Sequence, residues 1–185
     1  MSIEELIKGC LKGKGSHFSE LYDRFSSGMY SICLRYAGDE DEAKDLLQEG
    51  FLKIFQKLGT YDASRGSLEG WIKRVFINLC IDFYRKNKYR NTNIDVEEFG
   101  DEIPEEENEV HGILHDLTYD ELISEISKLP PGYRTVFNMH VIDGKGHKEI
   151  ATELEITEST SKTQLFKARN LLKKNLMAKT LIRTK

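Results

Sequence analysis

Three features of the chain predict an all-α fold built as two small helical domains joined by an acidic linker. Apolar residues recur at intervals of three and four through most of the sequence and nowhere alternate for long enough to make a strand. Residues 93 to 118 hold ten acidic residues and no Lys or Arg, a composition that is better solvated than packed. Residues 129 to 176, LPPGYRTVFNMHVIDGKGHKEIATELEITESTSKTQLFKARNLLKKNL, set a short helix, a tight turn and a longer basic helix in succession, as a helix-turn-helix DNA reader does. The predicted domains are residues 1–92 and 118–185, with the linker over 93–117.

The first domain starts with a short helix, roughly Ile3 to Leu11. A longer helix follows, with Phe18, Leu21, Tyr22, Phe25, Met29, Ile32, Cys33 and Tyr36 along one face. Asp39 and Glu42 suit the start of the next helix, because carboxylates accept from its free N–H groups and oppose its dipole. Its inner positions are Ala43, Leu46, Leu47, Phe51, Ile54, Phe55 and Leu58, and Gly59 is expected to end it. After a polar turn from Tyr61 to Gly66, Ser67 is placed to cap a third long helix. Its inner stripe is Leu68, Trp71, Ile72, Val75, Phe76, Leu79, Cys80 and Phe83, so Trp71 is expected in the core. A helical bundle results.

In the second domain Thr118 and Glu121 form a capping box ahead of Leu122, Ile123 and Ile126. Leu129 to Gly132 breaks the chain, and Tyr133, Val136, Phe137, His140 and Val141 predict a further helix before the turn Asp143 to Gly146. His147 to Leu154 is the first helix of the reader, with Ile150, Ala151 and Leu154 inward. Thr157 caps the second, whose inner residues are Ser161, Leu165, Ala168 and Leu172. That leaves Ser159, Thr160, Lys162, Thr163, Lys167, Arg169 and Lys173 outward, short hydroxyls for base edges or phosphates and cations for phosphates.

Composition bounds the function. The chain has 185 residues, 39% hydrophobic and 31% charged, as a water-soluble helical protein would. No apolar run approaches the roughly 18 residues of a membrane span, and the N-terminus MSIEELIKGC carries acids where a signal peptide carries bases. A cytoplasmic protein with no membrane insertion is expected. Cys10, Cys33 and Cys80 are widely spaced and lack metal-ligand spacing, so they are expected as reduced core residues. The net charge of −4 argues against nucleic acid only until it is divided by segment: residues 130 to 185 hold 11 Lys and Arg against 5 Asp and Glu.

Two further stretches complete a pattern. DEAKDLLQEGFLKIF, residues 41 to 55, and YDASRGSLEGWIKRVFIN, residues 61 to 78, together with the reader, resemble the sigma-70 family of bacterial RNA polymerase sigma factors in its two-domain extracytoplasmic-function form. The resemblance implies that the helix of residues 41–55 meets the polymerase clamp, that the turn and helix of residues 61–78 open the promoter's minus-ten element, and that the reader, as region 4, binds the minus-thirty-five element. It implies core RNA polymerase, promoter duplex and melted single strand as partners, an anti-sigma factor as a common regulator, no cofactor, no metal and no enzymatic activity. Two residues depart from the pattern. Glu155 stands where a residue tolerant of a left-handed turn is usual, so a strained or reshaped turn is expected. Ser161 replaces an apolar inner residue such as valine, so looser packing is expected.

Carried onto this sequence, the polymerase-binding residues are Asp45, Gln48, Glu49 and Leu52, an outward stripe in which charges steer encounter and the leucine supplies burial. The minus-ten residues are Tyr61, Asp62, Ser64 and Arg65 in the turn, with Lys73, Arg74, Asn78, Arg85 and Lys86 on the helix. The minus-thirty-five residues are Ser159, Thr160, Lys162, Thr163, Lys167 and Arg169. The linker is read as a spacer, as an RNA mimic in the polymerase channel, or as a cover folded back on the reader. Two other functions compete: a stand-alone helix-turn-helix regulator, which leaves residues 41–55 and 61–78 unexplained, and a metal hydrolase using Asp39, Glu40, Asp41, Glu42 and Asp45, which lacks a nearby histidine.

Overall fold

The structure, a computed structural model, describes residues 1–90 and 118–183. The linker expected over 93–117 lies outside the described residues. Every regular element among the described residues is helical, and the chain divides into two compact units, Met1–Asp82 and Phe83–Lys185.

The first unit holds α1 (Ile3–Leu11), α2 (Gly15–Ala37), α3 (Glu40–Lys57) and most of α4 (Leu68–Arg90). Each start is capped as its sequence allows. Ser2 and Glu5 form a reciprocal box on α1, with the Ser2 N–H donating to the Glu5 carboxylate at 2.8 Å. Asp39 Oδ1 accepts from the N–H groups of Asp41 and Glu42 at 2.9 and 3.0 Å. Ser67 Oγ accepts from the Gly70 N–H at 3.1 Å. Gly59 does not end α3 as a left-handed cap; the helix tightens into a 3-10 turn over Leu58–Thr60 that buries Leu58.

An aromatic cluster forms the core of this unit. Phe51 of α3 lies 4.7 Å from the Tyr22 ring and 5.4 Å from the Phe76 ring, while Phe55 packs edge-on to Phe18 at 4.8 Å. Phe76 is fully buried and lies against the backbone of Gly50: a Cβ added there would fall 2.1 Å from the ring. Cys10, Cys33 and Cys80 are buried and not joined in disulfides. Trp71 is only half-buried, because it sits at the margin of this core with its ring 5.9 Å from that of Tyr61.

The second unit contains α5 (Tyr119–Ser127), α6 (Pro131–Phe137), α7 (His147–Leu154) and α8 (Glu158–Arg183). The Thr118–Glu121 capping box is present. Pro130 and Pro131 cannot donate to the carbonyls that α5 leaves open, and the buried Arg134 guanidinium does so, reaching Ser127 O at 3.0 Å and Leu129 O at 2.9 Å. The helix expected through Val141 instead widens into a π-turn over Asn138–Ile142, closed by the Asp143 N–H on Asn138 O at 2.9 Å. Val136, Phe137, Ile150, Leu154, Leu165, Ala168 and Leu172 make the core.

Gly50→Ala is expected to destabilise the first unit by about 1–3 kcal/mol, since the new methyl would fall 2.1 Å from a fully buried ring. Urea unfolding reads this as a lowered midpoint, and an unchanged midpoint would mean that Phe76 can move aside. Arg134→Met should weaken the second unit by about 1–3 kcal/mol, because the carbonyls it serves lose their donor.

Candidate functional site

On α3 the burial of Ala43, Leu46, Leu47, Phe51 and Ile54 leaves the opposite face to solvent. Asp45, Gln48, Glu49 and Leu52 all lie there exposed, and Leu52 is 61% accessible. Glu49 pairs with Lys53 at 2.8 Å within the helix. The four residues expected to act together are therefore on one surface. The acidic run at the start of α3 serves the helix itself, through the Asp39 cap and the pairing of Lys44 with Glu40 and Asp41. Among the described residues no group of three or more His, Cys, Asp or Glu side chains is arranged to hold a metal ion.

The turn between α3 and α4 is closed on itself. Tyr61 donates its hydroxyl proton to Gly66 O at 2.9 Å, and Asp62 Oδ1 accepts from both the Ser64 N–H at 2.9 Å and the Ser64 hydroxyl at 2.8 Å. Those Ser64 bonds, with lesser help from Arg65, hold the Asp62 carboxyl below its usual pKa. Gly66 has φ of +138°, a conformation that side chains rarely adopt. Asp62 and Tyr61 thus shape the turn, while Ser64 and Arg65 remain exposed.

Lys73, Arg74 and Asn78 are exposed on α4 beyond the turn, with Lys73 paired to Glu69 at 2.7 Å. Arg85 and Lys86 stand apart from them along the helix, in the residues that pack with the second unit. There Arg85 is held at 2.7 Å by Glu155. The sequence reading missed this partner, as it missed Trp71 as the neighbour of Tyr61 at the turn.

In the reader, Thr157 Oγ1 accepts from the Thr160 N–H at 3.0 Å and caps α8. Glu155, the residue between the two helices, has φ 54° and ψ 51°, the left-handed conformation that its position demands. That geometry costs a non-glycine residue about 1–2 kcal/mol. Ser159 and Lys162 are exposed, Thr160, Thr163, Lys167 and Arg169 half-buried, and Lys167 lies 5.9 Å over the Tyr133 ring.

Ser161 is fully buried, yet it does not loosen the helix: its hydroxyl meets His147 Nδ1 at 2.9 Å. The His147 ring stacks on that of His140, with centroids 4.4 Å apart and planes 12° from parallel. Burial, then His140, then Lys162 and Arg169 lower the pKa of His147, against which only Glu158 acts.

The native state therefore binds a proton at His147 less readily than the unfolded chain does. Its stability should be undiminished by this group above about pH 6.5 and fall as the pH drops below that value. Melting temperatures taken from pH 8 to pH 5 should show the fall in the wild type and a smaller one in His147→Asn; equal slopes would remove His147 as its source.

Comparison with known proteins places the chain in a family. Residues 21–90 match the Sigma-70 region 2 family and residues 119–172 the family described as Sigma-70, region 4. The chain is 32% identical over 184 residues to the ECF RNA polymerase sigma factor SigW of Bacillus subtilis (strain 168), spanning 95% of this chain and 97% of that protein. It is 29% identical over 155 residues to SigM of the same organism, spanning 83% of this chain and 91% of that protein. A solved structure of the sigma factor RpoE in complex with the anti-sigma factor NepR from Bartonella quintana is 16% identical, with a TM-score of 0.47 over 87% of this chain and 96% of that one. The chain belongs to the extracytoplasmic-function group of sigma-70 factors, which bind core RNA polymerase, recognise promoter DNA and promote its opening without being enzymes.

Proposed function

We propose that this sigma factor divides its work by surface: the outward face of α3 docks on the polymerase clamp, the turn after it with α4 opens the minus-ten element, and α8 reads the minus-thirty-five element. On this reading residues 1–92 and 118–185 are the functional domains, and the cytoplasm is where they act. The self-closed turn carries the proposal. Strand opening without ATP needs a preformed receptor for bases leaving the stack, since each unstacked step costs a few kcal/mol. A turn already fixed by Tyr61, Asp62 and Gly66 loses little further entropy on capture.

Ser64 and Arg65 then present a hydroxyl and a cation to the extruded strand, and Lys73, Arg74 and Asn78 hold its backbone. Arg85 and Lys86 serve the upstream duplex. In the reader, Ser159, Thr160 and Thr163 approach the major groove while Lys162, Lys167 and Arg169 neutralise phosphates. Family membership also suggests an anti-sigma factor as regulatory partner, which a tagged chain recovered from its host would carry in place of core polymerase.

Replacing Asp45 and Glu49 together by arginine should abolish recovery of core polymerase in a pull-down and leave the circular dichroism spectrum intact, as both side chains are exposed. Undiminished recovery would remove α3 as the docking face. Permanganate footprinting tests the turn: a neutral linker in place of residues 61–67 should abolish thymine reactivity at the minus-ten element, and retained reactivity would overturn the assignment.

A further inference from the structure

Ser161 and His147 form a polar contact at a place where two reader helices ordinarily meet through apolar side chains. Ser161 has no exposed surface, and its hydroxyl reaches the imidazole 14 residues earlier. The ring is fixed from behind as well. His140 Nδ1 faces the carbonyl of Lys145 at 2.9 Å, and a carbonyl can only accept, so that nitrogen carries the proton and locks His140 in place. His140 then stacks flat on His147. A chain of three side chains thus runs from the π-turn to the buried side of α8.

We propose that His147 is a positioning residue for promoter recognition: through Ser161 it fixes the rotation of α8 about its own axis, and so the aim of Thr160, Lys162 and Thr163 at the minus-thirty-five element. The role rests on the reading of α8 as the minus-thirty-five reader. Ser161 lies between Thr160 and Lys162 in sequence, so any roll that shifts it shifts both neighbours. A roll of about 20° moves a side-chain tip on a helix of ~6 Å radius by about 2 Å. Hydrogen bonds to base edges tolerate only about 0.5 Å. An apolar contact resists such a roll weakly because it is non-directional, whereas the hydroxyl–imidazole bond has one preferred geometry.

The contact is also sensitive to acid. In neutral His147 the Nδ1 lone pair can accept the Ser161 proton; in the protonated ring Nδ1 only donates, so the bond reverses, Ser161 Oγ accepts, and the hydroxyl proton must point elsewhere. The new charge faces His140 from the π-turn and Lys162 and Arg169 from α8, with Glu158 the one opposing group among those that act on it. Asparagine at 147 supplies an amide at the position of Nδ1 and does not titrate.

The test uses full-length protein reconstituted with core polymerase and a promoter duplex selected by that wild-type holoenzyme from a randomised pool. The readout is preference for the selected minus-thirty-five sequence over a scrambled one, measured at pH 7.5 and pH 5.5 by competition binding, with melting curves at both values to establish that the chain is folded. Ser161→Val keeps the volume and removes the hydroxyl; it should reduce the preference about tenfold at pH 7.5, while Ser161→Thr retains it. Wild-type preference should fall as the pH drops below 6.5 and the ring takes up its proton, and that of His147→Asn should stay level.

Lys162→Ala, a direct contact, should lose overall affinity at both pH values. If Lys162→Ala loses affinity but Ser161→Val keeps wild-type preference, or His147→Asn falls with pH as the wild type does, the positioning role is overturned alone. If Lys162→Ala binds as the wild type does, the reader assignment falls and takes the positioning role with it.

Discussion

The packing of Phe76 against the bare backbone of Gly50 is the contact on which the first unit depends. α3 carries no side chain at Gly50, and the Phe76 ring of α4 occupies the space one would need. That contact decides what each helix has left to show. With Phe51 and Ile54 turned toward the aromatic cluster, Asp45, Gln48, Glu49 and Leu52 have no direction available but outward. With Ile72, Phe76 and Leu79 buried on α4, Lys73, Arg74 and Asn78 share its solvent side. The proposed polymerase and minus-ten surfaces are thus the complements of one core, and a change at Gly50 would disturb both without touching either partner.

The reader solves a different problem with polar groups. A helix-turn-helix needs one residue in the left-handed conformation and a close crossing of its two helices. Glycine and an apolar residue would meet both needs with less strain. Here Glu155 adopts φ 54° and Ser161 is buried against His147. Each choice is locally unfavourable: the first by about 1–2 kcal/mol of backbone strain, the second by the desolvation of a hydroxyl. A partnered hydroxyl recovers most of its desolvation, and a hydrogen bond adds a directional restraint that valine lacks. The cluster of departures in a single motif is where a functional constraint is expected to override local preference.

Most of the helices were legible because their determinants are local. Three-and-four spacing located every long helix, and Asp39, Ser67, Thr157 and the Thr118–Glu121 pair marked their starts through bonds spanning two or three residues. The turn at Glu155 was expected from the resemblance alone, as either strained or reshaped, and its φ of 54° makes it the strained left-handed form. What escaped depends on contacts distant in sequence or on small energy differences. Ser161 reads as a packing defect until its partner 14 residues away is known, and Arg134, which no sequence pattern singles out, is buried on the carbonyls of Ser127 and Leu129. Trp71 falls on the inner stripe by spacing, yet the bundle margin at the turn leaves it half-buried beside Tyr61. The π-turn at Asn138–Ile142 differs from a helix by one residue of register, a difference that periodicity over so short a segment does not resolve.

The Arg85–Glu155 pair shows how magnitude, rather than presence, decides a contact's meaning. At 2.7 Å it is short, and it joins a residue proposed for promoter contact to the strained residue of the reader turn. Both side chains are well exposed, at 39% and 50%, and pairs of that kind contribute about 0–1 kcal/mol. The guanidinium is therefore held in a defined direction without being withheld. A phosphate offers Arg85 a ligand of the same sign as Glu155 that the guanidinium fork also fits, and the contact releases counterions from DNA. The strain at Glu155 is backbone strain and persists whether or not the pair is made, so exchanging carboxylate for phosphate leaves the turn as it was. On the proposed role of Arg85 at the upstream duplex, the pair with Glu155 adds a cost small compared with one phosphate contact and acts as a placeholder for an anion rather than a lock.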